Sequence, residues 1–322
     1  MRKISVLLSL VIAAASVAAQ TPSPALLVLN KSENTLSIVD PATRKTIATV
    51  PTGDGPHEVA TDGKLAFVTN YSPRASGNTL SIIDIGAQKE LRRFDLGALR
   101  GPHGIEFKSG KVYFTAEGSK EIARYDPAAN KIDWHFSTGQ EGTHMLVLSR
   151  DGNKIFTANI GSDSVSAIER HPGSDQWKAT VIRVGKGPEG IDISPDGKEV
   201  WTAHSRDGGI SIIDAQTNQV VQTFDIHTKR SNRVKFSPDG KLVLVSDLDA
   251  GELIILNARA RKEVKRLKLG PGTEGILVPS DGARAYVAVA GENQVAMIDL
   301  KALDVVDRIK TGKGPDGMAW AK

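Results

Sequence analysis

Apolar and polar residues alternate along this chain in short bursts of four to six, each closed by a turn signal. Gly190-Ile191-Asp192-Ile193-Ser194 alternates, Pro195-Asp196-Gly197-Lys198 turns, and Glu199-Val200-Trp201-Thr202-Ala203 is the next burst. Residues 209–214 and 220–224 complete a set of four. A period of two, β-branched residues and Asp-Gly turns predict an antiparallel four-stranded meander. Third strands with the same pattern are predicted at 35–40, 79–84, 121–126, 164–169, 252–257 and 294–299. No amphipathic helical stretch of useful length lies between them.

The meander recurs. A junction reads Gly55-Pro56-His57, Gly101-Pro102-His103, Gly142-Thr143-His144, Gly187-Pro188-Glu189, Ser231-Asn232-Arg233, Gly272-Thr273-Glu274 and Gly314-Pro315-Asp316, at spacings of 46, 41, 45, 44, 41 and 42 residues. Self-similarity at roughly 40–45 residues signals a repeat architecture. The two ends are out of phase with the repeat: 25–30 reads as a second strand and 317–320 as a lone first strand. Pairing those pieces would close a ring and remove its exposed edges. The predicted fold is all-β, a seven-bladed β-propeller occupying residues 20–322 as one domain.

The motif Gly-Pro-x-Gly-Ile…Ser-Pro-Asp-Gly…Val-x-x-Ala-Asn…Ser-Ile-Ile-Asp resembles YVTN-type β-propeller repeats, with close matches at Phe67-Val68-Thr69-Asn70, Phe156-Thr157-Ala158-Asn159 and Ser194-Pro195-Asp196-Gly197. The resemblance spans residues 25–320. It implies the fold and leaves the function open, because propellers host many activities.

Charge and composition narrow the setting. Met1-Arg2-Lys3 followed by an apolar run to Val17 and then Ala18-Ala19 reads as a signal peptide, 1–19, cleaved after Ala19. The run is too short for a transmembrane anchor. A periplasmic or secreted protein is expected. There is no cysteine, which excludes disulfides and thiolate metal sites. Removing Arg2 and Lys3 takes the net charge from +4 to +2, so the basic balance says little about partners. The cluster Arg259, Arg261, Lys262, Lys265, Arg266, Lys268 sits in a predicted outer strand and reads as edge protection, not a nucleic-acid patch. Gly185-x-Gly187-x-x-Gly190 and Gly312-x-Gly314-x-x-Gly317 match a dinucleotide fingerprint but precede strands, and are rejected. A monomer without nucleic-acid partner or membrane span is expected.

Strand direction places two rings of residues at one mouth of the central channel. The junctions contribute His57, His103, His144, Glu189, Arg233, Glu274 and Asp316; the ends of the second strands contribute Asn30, Asn70, Glu117, Asn159, His204, Asp247 and Ala290. Three imidazoles on consecutive blades with a carboxylate beside them, His57, His103, His144 and Glu189, have the chemistry of a zinc, manganese, magnesium or copper site. His at a variable position of a solvated junction would equally serve to line the channel. His204 and Glu117 depart from the asparagine norm of their ring and are the candidate catalytic pair. Arg233, Glu274, Asp316, Asp247, Asn70 and Asn159 are the candidate ligand-binding set; Arg233 among carboxylates reads either as an ion pair or as an anchor for an anion.

Two functions compete. One is an exported propeller that binds a small molecule or protein at its polar mouth. The other is a metal-dependent lyase or hydrolase. Residues 101–126 are similar to repeats of virginiamycin B lyase, which implies a His and a carboxylate-bound Mg²⁺; the seven-bladed oligogalacturonate lyases imply Mn²⁺ held by several His. Neither family's site maps position by position onto this chain.

Overall fold

The computed structural model describes residues 20–72 and 76–322. The signal-peptide reading falls on residues 1–19, outside the described residues, as do residues 73–75 of the loop that follows Asn70. Among the described residues there are seven four-stranded antiparallel sheets. In one, β16 (Pro188–Ile193), β17 (Glu199–His204), β18 (Gly209–Asp214) and β19 (Gln219–Asp225) run from the axis outward in chain order. The other innermost strands are β4 (Pro56–Thr61), β8 (Pro102–Lys108), β12 (Thr143–Leu148), β20 (Ser231–Phe236), β24 (Thr273–Leu277) and β28 (Pro315–Ala321). No helix among the described residues is long and apolar enough to cross a membrane.

Ring closure follows the expected plan. β28 pairs antiparallel with β1 (Ala25–Asn30), Leu26 opposite Trp320 and Val28 opposite Met318, and β2 (Thr35–Asp40) and β3 (Lys45–Pro51) complete that blade. The core is the set of seams between blades. At one, Trp201, Ile210 and Ile212 of one blade pack against Val234, Val243, Val245, Ile254 and Leu256 of the next, all essentially inaccessible. Middle strands are covered on both sides, which accounts for their continuous apolar runs. On the outer strand β23 (Lys262–Lys268) the basic cluster is engaged by local carboxylates, Arg266 with Glu252 and Glu263, and Lys268 with Glu252; Arg261, just before it, pairs with Glu199.

The asparagines that end second strands are part of this framework. Asn30 Nδ2 donates to Thr35 Oγ1 and Ser37 Oγ (both 2.9 Å), and Asn70 Nδ2 to Thr79 and Ser81 (both 3.0 Å). Asn159 Nδ2 likewise donates to Ser164 and Ser166 (3.1 and 2.9 Å). The Thr-x-Ser or Ser-x-Ser that opens these third strands is the acceptor pair, so each buried amide nitrogen is satisfied inside its own blade, while Asn30 Oδ1 has no protein partner. Asn70 and Asn159, expected to bind ligand, therefore point into the blades and away from the channel.

The same correction applies to His204 and Asp247. His204 occupies an asparagine position, fully buried, its Nδ1 2.9 Å from Asp207 Oδ1. It fills the space over Gly185, where an added Cβ would lie 2.1 Å from that nitrogen. Asp247 caps a turn, accepting from the backbone N–H of Lys229 (2.6 Å), Arg230 (3.0 Å) and Ala250 (3.0 Å). A side chain at the last residue of a second strand turns between strands, not toward the axis; in two blades Ala116 and Val289, opposite Pro102 and Thr273, hold that place, so Glu117 and Ala290, expected in this ring, stand one residue further on.

Candidate functional site

Every innermost strand carries one extra residue at the same place. Pro188 pairs with His204 and Gly190 already with Ala203; Pro56 pairs with Asn70 and Val59 with Val68; Ser231 pairs with Asp247 and Val234 with Val245. The same slip follows Pro102, Thr143, Thr273 and Pro315. Such a bulge re-aims the side chain it carries. Here it turns the third junction residue toward the axis.

The register corrects one member of the expected ring. Because Ser231 takes the position of Pro188 opposite the end of the second strand, Asn232, and not Arg233, is the third residue in that blade. Arg233 stands one place further on, where its N–H donates to Ser246 Oγ (2.9 Å), as the N–H of Gly104 does to Thr115 (2.9 Å) and that of Glu58 to Thr69 (3.1 Å). Ser231-Asn232-Arg233 contains neither Gly nor Pro, so sequence spacing alone was ambiguous by one. Around the axis this next position reads Glu58, Gly104, Met145, Gly190, Arg233, Gly275, Gly317, each large residue flanked by glycines. Arg233 crosses to Glu58, Nε to Oε1 at 3.0 Å with a second bond from Nη2, and lies 3.7 Å from Asp316. Glu58 escaped the sequence reading; its signal was a carboxylate where four of the seven repeats have glycine.

Below this pair the channel stays charged: Glu106, Asp192 and Lys235 share the next inward-facing level, with Lys235 Nζ 3.6 Å from Asp192 and Glu106 accepting from the Leu148 N–H (3.2 Å). Burial pushes the Glu106 carboxyl up to about 7, against the pull of Lys235.

At the mouth, the structure brings His57, His103 and His144 together. Ring centroids are 4.3 Å apart for His57–His103 and 3.8 Å for His103–His144, and Tyr71 closes over them at 4.9 Å from His57 and 5.1 Å from His103. Burial holds the imidazoles of His57 and His103 below the ordinary histidine range, and neighbouring rings lower His103 further. His57 Nδ1 lies 2.9 Å from Asp316 Oδ2. His144 Nδ1 is hydrogen-bonded to Glu117 Oε2 (2.7 Å), and its Nε2 lies 4.0 Å from Glu189 Oε1. Burial would raise the Glu117 carboxyl, but bonds from His144 and the Tyr71 hydroxyl hold it down. Lys31, from the loop after β1, donates to Glu274 (2.8 Å) and Asp316 (3.1 Å). Both Lys31 and Tyr71 follow the last residue of a second strand, a position the repeat leaves variable.

The four residues expected to hold a metal are neighbours without forming a ligand set: among the described residues no group of three or more His, Cys, Asp or Glu is arranged to hold a metal ion. Two of the imidazoles direct Nδ1 at carboxylates, and Lys31 and Arg233 add positive charge nearby. The geometry favours hydrogen-bonding chemistry. Several buried polar atoms at this mouth have no protein hydrogen-bond partner, among them His103 Nδ1, Glu189 Oε2 and Asn232 Oδ1.

Glu274 gives a pH prediction. Burial first, and then Asp316, raise its carboxyl to about 7, with Lys31 opposing. Between its unfolded value of 4.5 and about 7 the folded state holds a proton that the unfolded state has lost, so stability falls as pH rises through that window. Glu274→Gln should remove a loss on the order of 2–3 kcal/mol between pH 4.5 and 8. Urea unfolding of both proteins across that range checks it; parallel pH profiles would show that folding does not shift the Glu274 carboxyl.

Comparisons with known proteins agree with this architecture. The family model described as YNCE-like β-propeller matches residues 92–280. The uncharacterised protein YncE of Salmonella typhi is 28% identical over 190 residues, 53% of this chain and 52% of that protein. The chain thus spans about half the length of the curated relatives it matches. Among solved structures, Kuenenia stuttgartiensis hydrazine synthase superposes with a TM-score of 0.77 at 20% identity, covering 91% of this chain and 99% of that one. The Pseudomonas aeruginosa periplasmic gluconolactonase PpgL does so with a TM-score of 0.74 at 15% identity, covering 93% and 99%. At such identities these two report the fold alone.

Proposed function

The chain belongs to the YncE-like β-propeller family, and from that premise we propose that it is an exported binding protein that takes a small polar molecule at the mouth ringed by His57, His103 and His144. The carrying observation is the set of buried polar atoms left without protein partners there, His103 Nδ1, Glu189 Oε2 and Asn232 Oδ1. An unpaired buried polar group costs about 1–3 kcal/mol, and a ligand that satisfies several of them recovers that cost on binding. Concave sites with a few convergent polar groups at the end of a closed barrel-like fold are common ligand sites. Export is supported by the amino-terminal pattern of residues 1–19.

Thermal unfolding in the presence of a panel of sugar lactones, sugar acids, amines and amino acids tests this. A ligand at a hundred times its Kd stabilises by about 2.7 kcal/mol, a Tm rise of a few degrees. At least one compound should raise the Tm of the wild type and leave that of His103→Leu unchanged. If no compound distinguishes the two proteins, binding at this mouth is wrong.

A second reading, hydrolysis or elimination, is favoured by one arrangement: His144 held at Nδ1 by Glu117, with its Nε2 turned toward Glu189. An imidazole oriented by a carboxylate is a general base. The solved neighbour titled gluconolactonase makes δ-gluconolactone the first substrate to try. On this reading opening of the lactone exceeds the spontaneous rate and His144→Ala loses about a hundredfold; a rate at the spontaneous level in the wild type leaves binding as the function.

A further inference from the structure

We infer that the ligand's recognised group is a small organic cation with N–H donors, an alkylammonium, seated between Glu189 and Asn232 beneath the imidazole stack. The inference rests on the binding reading above and specifies its chemistry. Glu189 is 3% exposed. Its Oε1 accepts from Asn232 Nδ2 at 2.7 Å, which fixes the amide with Oδ1 turned the other way. That leaves two buried atoms without partners, Glu189 Oε2 and Asn232 Oδ1, and both are acceptors. Among the described residues the cation that ion-pairs with Oε2 is the exposed Arg230, whose Nε stands off at 4.0 Å, beyond hydrogen-bond reach. A ligand that completes this pair must bring donors.

The surroundings select charge as well. Glu58, Glu117, Glu189 and Asp316 face the mouth with Glu274, against Lys31 and Arg233 inside and Arg230 on the rim. Arg233 is hydrogen-bonded to Glu58 and Lys31 to Glu274 and Asp316, so among the described residues no inward cation hydrogen-bonds Glu189, although Arg233 is close enough to feel its charge. A hydrogen bond between an ammonium and a carboxylate is roughly twice as strong as a neutral one. Tyr71 is close enough to Glu189 to feel its charge, and a tyrosine face attracts a cation within about 6 Å. An anionic ligand would meet the unsatisfied carboxylate and be repelled.

Isothermal titration of the purified chain with n-butylammonium chloride, at low salt and pH 7.5, tests this, with tetramethylammonium, n-butanol and gluconate as comparators. n-Butylammonium should bind, tetramethylammonium at least tenfold more weakly because it has no N–H, and butanol and gluconate not measurably. Glu189→Gln should weaken butylammonium binding at least tenfold. Arg230→Glu, a change at an exposed side chain, should tighten it at least threefold and decides the matter if Glu189→Gln unfolds. Absence of butylammonium binding, or binding that neither substitution changes, overturns the inference. Binding of gluconate without butylammonium overturns it too while leaving a ligand site at the mouth; failure of every compound in the thermal panel removes the site itself.

Discussion

Arg233→Met should destabilise the fold by about 3–5 kcal/mol, the cost of leaving a buried charge without its partner. Arg233 is 4% exposed, and its guanidinium is the cross-channel partner of Glu58 and the nearest cation to Asp316 Oδ1. Burial alone would strip its proton more easily, but Glu58 and Asp316 more than compensate and hold it charged. Methionine fills much of the volume and removes the charge, so Glu58 is left inside the channel without its hydrogen-bonded counter-ion, with only Lys235, among the described residues, further in to offset it. The double variant Arg233→Met, Glu58→Leu should regain most of the loss, since replacing a buried pair by apolar residues is often neutral. Denaturant unfolding of the three proteins checks both. A single-variant loss below about 1 kcal/mol would mean that water reaches Glu58 through the channel and that the pair is effectively a surface one.

Gly275→Ala is the second large effect. A Cβ on Gly275 would lie 2.2 Å from the carbonyl oxygen of Asp316 and 2.9 Å from its carbon, both backbone atoms of the neighbouring innermost strand. Neither can move without displacing the bulge that aims Asp316 at Lys31 and His57. The expected loss is about 3 kcal/mol, at the upper end for overpacking by one methyl group. Gly97→Ala is the contrast in clash: Gly97 has nothing within 4 Å of the added atom, so its cost comes only from its positive φ. A Gly275→Ala protein with wild-type stability would show that the blades separate freely at the axis.

Much of the fold was legible because it repeats. The Asp-Gly turns and the alternation of strands such as Gly209–Asp214 recur often enough that single degenerate copies do no harm, and the out-of-phase ends announced the shared blade. The site was legible only to the level of a position. His57, His103 and His144 were found because the bulge sits at a recognisable junction. Arg233 was placed one residue early because Ser231-Asn232 lacks both markers and only hydrogen-bond register distinguishes the two alignments. Glu58 and Lys31 were missed because their importance comes from partners across the ring, Arg233 and Asp316, that no local pattern connects. His204, the other half of the expected pair, holds the place of a framework asparagine, its Nδ1 on Asp207 within one blade and its buried Nε2 without a protein partner.

The pairing of Leu26 with Trp320 makes the two ends of the chain interdependent. Six of the blades are hairpins of neighbouring strands and close only short loops. The seventh closes a loop of nearly the whole chain, with an entropic cost that grows only as the logarithm of length and reaches about 5 kcal/mol for some 300 residues. That single closure also brings Asp316 to Lys31 and Arg233, so the last contacts of the ring and the electrostatic balance of its mouth form in one step. A protein loosened at β28 would lose its seam and the proposed ligand site together, long before the remaining blades come apart.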